Sequence, residues 1–220
     1  MGRERREFKR PSFNRDVNRL FVIATEGQNT EKKYFEGLKS HKYFQHTKIY
    51  LEVLEKLNSN SSPTSVINML NSFKKEFLLR DGDELWMVID RDKQSWDITE
   101  ISEVATLVYQ KRYNLALSNP AFEVWLLLHV KDVSEYSEEE LNELYVNRKI
   151  SRHRTRLDFE LAEICGSYNK YSPNLDHYLP TVETAILRAE SLIIDPNERW
   201  PNHFGTHVHK LVAKLINLAE

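Results

Sequence analysis

Arg19-Leu-Phe-Val-Ile-Ala-Thr-Glu-Gly-Gln-Asn-Thr-Glu31 is the stretch from which the fold can be predicted. Residues 20–24 are all apolar, and a short uninterrupted apolar run is typical of a strand buried on both faces of a parallel sheet. The run ends shortly before Gly27, and the residues after this glycine can start a helix. Glu26 therefore follows a buried strand directly, at the edge where open α/β sheets bind their ligands.

Strand and helix signals alternate outward from this stretch as far as residue 119. The sequence predicts further strands at 48–55, 84–90 and 114–119, and helices at about 30–44, 64–79 and 98–113. This alternation indicates right-handed crossovers and a parallel sheet. From Ala121 onward the strand signals vanish, and apolar helical stripes lie near 121–130, 138–147, 157–168, 179–194 and 207–219. We therefore predict an α/β fold with a parallel sheet of about four strands, flanked by helices and followed by a helical region.

Three segments follow from this pattern: a basic, flexible arm over 1–18, an α/β core over 19–130 and a helical extension over 131–220. Charged residues make up 29% of the 220 residues and aromatic residues 11%, which is typical of a globular chain rather than a disordered one. A lone cysteine, Cys165, excludes an internal disulfide framework. Because no apolar run approaches the roughly 20 residues of a membrane span and no signal peptide is visible, we expect a cytoplasmic protein without a membrane partner.

A basic block lies between residues 148 and 156, although the net charge of the chain is only -2. Such a run is ordinarily a solvated face, and contact with a nucleic-acid backbone is the alternative function. The block contains no acid, and its cations are Arg148, Lys149, Arg152, Arg154 and Arg156.

Two aspartates, Asp90 and Asp92, directly follow the apolar run 85–89. Their i, i+2 spacing places both side chains on one side of an extended segment. A helix-capping turn would explain this pair alone. Glu26 at the end of another strand adds a third carboxylate, and so much negative charge in one place calls for a cation or a basic cluster. We therefore predict a site for Mg²⁺ or Mn²⁺, which prefer oxygen ligands of this kind.

These motifs resemble known proteins. Glu26-Gly27 followed by Asp90-Arg-Asp92 resembles the Toprim domain, the metal-binding α/β module of topoisomerases, bacterial primases and several nucleases. The chain also resembles the RloB-like family, whose members are associated with bacterial defence and restriction loci. That second resemblance covers roughly residues 19–130 and rests on Thr25-Glu-Gly-x-x-Thr-Glu-x-x-Tyr-Phe35, Ile89-Asp-Arg-Asp92 and Ser118-Asn-Pro-Ala-Phe-Glu-Val-Trp-Leu-Leu-Leu-His129.

The resemblance implies roles for four acidic residues. Glu26 would be a general acid/base or a metal ligand, and Asp90 and Asp92 would be metal ligands. Glu123 would bind a second metal, or would only interact with the N-terminus of its helix. The implied activity is metal-dependent cleavage of phosphodiester bonds in DNA or RNA during anti-phage defence. The alternative is a non-catalytic, nucleic-acid-binding or regulatory subunit of a defence complex, and candidate partners are a separately encoded ATPase and a second copy of the chain.

Other polar residues receive simpler interpretations. His203, His207 and His209 resemble a metal cluster, but His207 and His209 are two residues apart and cannot share a helix face, so we predict surface positions or weak phosphate contacts for the three histidines. His129, at the end of an apolar stripe, is predicted to lie in the core or to interact with a helix C-terminus. Asn119 is either a helix cap or a substrate contact.

Overall fold

The structure is a computed structural model that describes residues 5–9, 19–27, 29–41, 49–55, 62–91 and 97–217. Its strands are β1 (Arg6–Glu7), β2 (Arg19–Thr25), β3 (Ile49–Val53), β4 (Phe77–Leu78), β5 (Glu84–Asp90), β6 (Asn114–Asn119) and β7 (Gly205–Thr206). Its helices are α1 (Thr30–Ser40), α2 (Pro63–Glu76), α3 (Ile98–Gln110), α4 (Glu123–Val130), α5 (Glu138–Val146), α6 (Arg156–Cys165), α7 (Val182–Ser191) and α8 (Val208–Asn217).

The main sheet has the strand order β3-β2-β5-β6-β7 within the described residues. β3, β2, β5 and β6 pair in parallel, which confirms the predicted α/β class and the parallel sheet. β7 is antiparallel to β6, with Thr206 opposite Ser118 and Gly205 opposite Asn119. The prediction that no strand follows residue 121 is therefore wrong, because a strand of two residues is too short to show a periodic pattern.

β2 lies inside the sheet and is buried on both faces, as its apolar run predicts. Phe21 and Ile23 belong to the hydrophobic cluster on one face, with α1, α4 and the later helices. Leu20, Val22 and Ala24 belong to the cluster on the other face, with α2 and α3. Because β2 and β5 are neighbours that run in the same direction, their carboxyl ends meet at one edge.

A second, two-stranded sheet joins the start of the chain to the end of α2. β1 pairs in parallel with β4, and the Phe8 ring lies 5.1 Å from that of Phe77 and 5.4 Å from that of Phe73. The predicted flexible arm is therefore paired and packed at residues 6–8, where Phe8 contacts an aromatic surface. Residues 1–4 and 10–18 of that predicted arm lie outside the described residues.

α4 is a fully buried helix beside the site region, with every residue from Glu123 to His129 buried. α4 begins at Glu123 with Phe122 as its N-cap, so Asn119 is not its cap, and the Asn119 side-chain amide donates instead to the Pro201 carbonyl at 2.8 Å. α6 and α7 pack on α4 and share one hydrophobic cluster with the sheet, so packing is continuous across the predicted boundary at residue 130. In the described parts of the chain, no helix combines the length and apolar character that a bilayer crossing requires.

Candidate functional site

Glu26 and Asp90 lie together where β2 and β5 end. The Glu26 amide donates to the Val88 carbonyl at 3.0 Å, and the Asp90 amide lies 3.4 Å from Glu26 Oε2. Asp90 Oδ1 is buried and accepts no hydrogen bond from the described residues. The structure thus brings two of the three predicted carboxylates together, whereas Asp92 lies outside the described residues.

Glu31, in the first turn of α1, adds a carboxylate that the sequence analysis did not assign to the site. Its side chain is only 6% exposed, and its Oε1 accepts a 3.0 Å hydrogen bond from the Gly27 amide. A Cβ atom at residue 27 would overlap the Glu31 carboxylate, so a larger residue here would displace that carboxylate from the Gly27 amide. Within the described part of the chain, Glu31 forms no ion pair.

Glu123 is paired with a lysine from the C-terminal region. Its Oε1 accepts from the Tyr168 hydroxyl at 3.0 Å and lies 3.2 Å from Lys170 Nζ. Lys170 Nζ also lies 3.0 Å from Asp158 Oδ1, so this ammonium group bridges two buried carboxylates. Burial alone would lower the pKa of Lys170, but Glu123 and Asp158 raise it above its ordinary value. Lys170 is therefore charged at neutral pH.

The ionised forms of Asp90 and Glu31 are disfavoured in the folded protein. Burial raises the pKa of Asp90 well above its ordinary value, and the charges of Glu31, Glu123 and Glu26 raise it further. Burial also raises the pKa of Glu31 to about 7, with Glu123 and Glu26 adding to the effect. A nearby cation would offset this repulsion and favour the ionised carboxylates.

A cavity of about 390 Å³ opens above these groups. Its walls come from the β2–α1 turn, the end of β5, the start of α4 and the segments that surround α6. The lining residues are Gly27, Asn29, Thr30, Glu31, Asp90, Pro120, Ala121, Phe122, Glu123, Val146, Asn147, Lys149, Thr155, Lys170 and Tyr171.

A basic hairpin, residues 148–155, forms one rim of the cavity. An antiparallel bridge between Lys149 and Thr155 closes it, and both residues line the cavity. Arg148, Arg152 and Arg154 are exposed, and none of them forms an ion pair with a described residue. The hairpin therefore presents positive charge next to the carboxylates.

Arg156, the last cation of the predicted basic block, points elsewhere. Its guanidinium donates to Glu160 Oε2 at 2.7 Å and to Glu143 Oε2 at 3.3 Å. Its side chain is only 18% exposed. The structure therefore separates Arg156, which joins α5 to α6, from the four cations of the basic hairpin.

The described carboxylates of the site form only part of a ligand set for Mg²⁺ or Mn²⁺. Across the described residues, no three His, Cys, Asp or Glu side chains are already arranged to hold a metal ion. Asp90 nevertheless has a buried oxygen without a hydrogen-bond donor, and its neighbours are carboxylates, which are the ligands that Mg²⁺ and Mn²⁺ prefer. Asp92, the third predicted ligand, does not belong to the described residues.

His129, His207 and His209 do not line this cavity. His129 is buried, with its Nε2 3.1 Å from the Tyr34 hydroxyl, which confirms its predicted core position. The prediction of surface positions for His207 and His209 is wrong, because both are at least 97% buried. His207 follows β7 directly, and His209 Nδ1 lies 2.6 Å from the Thr206 carbonyl oxygen.

Comparison with known proteins places the chain in a family. No curated protein and no solved structure gives a significant match. The model of one family, described as RloB-like protein, matches residues 21–215. The match runs from β2 into α8 and includes the carboxylates, Lys170 and the basic hairpin. The chain therefore belongs to the RloB-like protein family.

Proposed function

We propose that this protein is a Mg²⁺- or Mn²⁺-dependent nuclease with a Toprim-like core. The observation that carries the proposal is the buried, unpartnered Oδ1 of Asp90 beside Glu26, at the carboxyl ends of two parallel strands. Ligands of open α/β sheets bind at this edge. The basic hairpin next to the same cavity matches a phosphate backbone in charge.

The proposed metal ligands are Glu26, Asp90 and Asp92. When bound, a divalent cation would polarise the scissile phosphate and supply a nucleophilic water at neutral pH. In the described structure Glu123 contacts Lys170 and Tyr168 through Oε1, so its Oε2 is the oxygen that would ligate a second metal.

The other residues of the cavity have roles that follow from their contacts. Lys170 holds a positive charge against Glu123 at the cavity wall, where it can attract a substrate phosphate. Lys149 belongs to the basic hairpin and also lines the cavity. It can therefore contact a phosphate of the nucleic-acid backbone close to the carboxylates. Phosphate contacts of this kind position a nucleic acid without reading its sequence. The substrate class is therefore DNA or RNA without base-specific readout by these residues.

Membership of the RloB-like family supports a role in anti-phage defence. We propose that the protein acts in the cytoplasm, with a separately encoded ATPase as a candidate regulator. We also propose that two copies of the chain form a homodimer.

Incubation of the purified protein with plasmid DNA, single-stranded DNA and total tRNA tests this function directly. We expect cleavage of at least one substrate with Mg²⁺ or Mn²⁺, no cleavage with EDTA, and no cleavage by Asp90→Asn with either metal. Cleavage that persists in EDTA, or in Asp90→Asn at the wild-type rate, would contradict the proposal.

Metal binding should also be visible without any substrate. Because the ion would bind the folded state through Asp90, a metal concentration about 100 times Kd should raise the free energy of unfolding by about 2.7 kcal/mol. Asp90→Asn should abolish this increment, and Glu36→Gln, on the part of α1 outside the cavity, should keep it. The measurement is thermal unfolding with and without MnCl₂. An equal shift in Asp90→Asn would remove Asp90 from the metal site.

The basic hairpin should control affinity through salt-dependent binding to phosphates. Replacing Arg148, Lys149, Arg152 and Arg154 together by glutamine should weaken binding similarly for all sequences. The slope of log K against log salt concentration should flatten by about 0.9 for each phosphate that the variant no longer neutralises. Fluorescence anisotropy in EDTA measures both quantities. Arg156→Gln is the matched control, and it should lower stability while leaving the salt slope unchanged, since its partners are carboxylates. A salt slope unchanged in the fourfold variant would mean that the hairpin is only solvated.

A non-catalytic binding subunit is the second candidate function. The observation in its favour is that the basic hairpin is exposed and complete without a metal, whereas Glu123 is already paired with Lys170. Such a subunit would bind nucleic acid in EDTA as well as in Mn²⁺ and would cleave none of the three substrates.

A further inference from the structure

A second cavity, of about 350 Å³, lies at the amino end of the sheet, between α3 and α8. It exists because β7 pairs only with the last two residues of β6, so no described strand covers the outer edge of β6 before Ser118. Along β5, Trp86 in this cavity and Asp90 in the carboxylate cavity are separated by roughly 13 Å. The two cavities are therefore separate sites.

The floor of this second cavity exposes backbone hydrogen-bonding groups of β6. The Ser118 carbonyl faces β5, where it accepts from the Arg91 amide at 2.7 Å, and the Leu117 carbonyl faces outward, where it accepts from the His207 amide at 2.8 Å. Since the backbone groups of a strand alternate in direction, the N–H and C=O of Leu115 also face outward, into the cavity that Leu115 lines. A donor and an acceptor side by side on an open edge match the edge of a planar heterocycle that carries both.

Aromatic side chains flank this backbone edge. Trp86 is 3% exposed and lines the inner part of the cavity, whereas Tyr109 on α3 is 82% exposed at its mouth. An exposed tyrosine ring beside an open cavity provides a surface on which a flat ring can stack.

Two cations at the rim form no ion pair within the described residues. Arg199 is held by the Thr106 hydroxyl at 2.9 Å and the Ser102 carbonyl at 3.1 Å. Lys210 lies with its Nζ 3.5 Å from His207 Nδ1. Lys214 differs from both, because Glu84 pairs with it at 3.0 Å. Arg199 and Lys210 are thus the cations of this cavity that an anion could engage.

We propose that this second cavity binds a nucleoside phosphate. The base stacks on Tyr109 with its edge on the backbone of Leu115, and the phosphate lies between Arg199 and Lys210. Each part of such a ligand has a matching group: a ring for the base, a donor and acceptor pair for its edge, and two cations for the phosphate. The volume and the mixture of aromatic walls with a few polar groups are those of a small-molecule site.

Binding of a fluorescent N-methylanthraniloyl derivative of ADP to the full chain in EDTA tests this proposal. EDTA removes any metal, so the carboxylate cavity cannot hold the phosphate through one. We expect saturable binding that weakens by about tenfold or more in Tyr109→Ala and in the double variant Arg199→Gln, Lys210→Gln. Tyr171→Ala is the matched control, because Tyr171 is another exposed tyrosine, 73% exposed, that lines the carboxylate cavity instead. Its affinity should equal that of the wild type.

Competition then identifies the ligand class. Unlabelled ADP should displace the probe, while adenosine and inorganic phosphate should each compete at least about tenfold more weakly, because each lacks one half of the contacts. The absence of saturable binding to the wild type, wild-type affinity in Tyr109→Ala, or a weaker affinity in Tyr171→Ala would each overturn the proposal. Inorganic phosphate that competes as well as ADP would also overturn it. Nuclease activity is not needed for any of these measurements.

Discussion

Glu26→Gln should reduce nucleic-acid cleavage by at least about 10²–10⁴-fold, the usual contribution of one acid–base group. The change keeps the size of the side chain, and the glutamine oxygen can still face the Asp90 amide, which lies 3.4 Å from Oε2. It removes the negative charge that either metal binding or proton transfer would need. The loss should therefore appear in the rate of cleavage rather than in folding.

Two measurements on the same variant separate a nuclease from a binding subunit. Cleavage is measured under single-turnover conditions in Mn²⁺, and affinity is measured in EDTA. Affinity should stay equal or rise, because a negative charge that faces phosphate is gone. Glu36→Gln, the same change on a half-exposed glutamate of α1 outside the cavity, should cleave at the wild-type rate. Wild-type cleavage by Glu26→Gln would place the active site elsewhere.

Acidification should remove the stability that buried, neutral His129 contributes to the fold. Burial lowers the pKa of His129 to about 3, from the ordinary value of 6.5. Below pH 6.5 the unfolded chain therefore binds a proton at this ring that the folded chain does not bind until about pH 3. The contribution of His129 to the free energy of unfolding falls as pH decreases through this window, and at pH 5 its loss is about 2 kcal/mol.

Urea unfolding at pH 7 and at pH 5 measures this effect. The wild type should lose about 2 kcal/mol more than His129→Gln between the two pH values, because the variant has no proton to bind at this position. Because each protein is compared with itself at the two pH values, the effect of the substitution that does not depend on pH cancels. Equal losses in the two proteins would show that His129 is protonated in the folded state.

His207 and His209 should act in the same direction. Burial lowers the pKa of His207 to about 3 and that of His209 to about 4. The loss that the three histidines cause together should thus exceed the share that His129→Gln removes, whereas the raised pKa values of Asp90 and Glu31 act in the opposite direction. Urea unfolding of His209→Gln at the same two pH values measures its separate part.

The sequence predicts best those elements that form because of the residues within them. β5 and β6 have the predicted bounds, and β2 extends one residue beyond each end of its apolar run, because uninterrupted apolar segments between turns define buried strands. The meeting of Glu26 and Asp90 then follows from topology alone, since parallel neighbours end at the same edge.

The features that the sequence does not predict depend on contacts between distant segments. β1, β4 and β7 have two residues each, so no periodicity marks them, and each forms only because a partner strand is in place. The Lys170–Glu123 pair joins residues 47 positions apart, and a lysine in an irregular segment gives no local sign of its partner. Glu31 does carry a local signal, because it lies four residues after Gly27 and a glycine at a strand end often accommodates a neighbouring group.

The bridge from Lys170 to Glu123 and Asp158 also sets an order of events on the ribosome. Synthesis proceeds from the N-terminus, so Glu26, Glu31, Asp90 and Glu123 all emerge before Lys170. During that interval the nascent chain contains these acids without the ammonium group that pairs with Glu123 in the finished protein. The charge pairing of Glu123 is therefore completed only when the C-terminal segment docks and brings Lys170 to it.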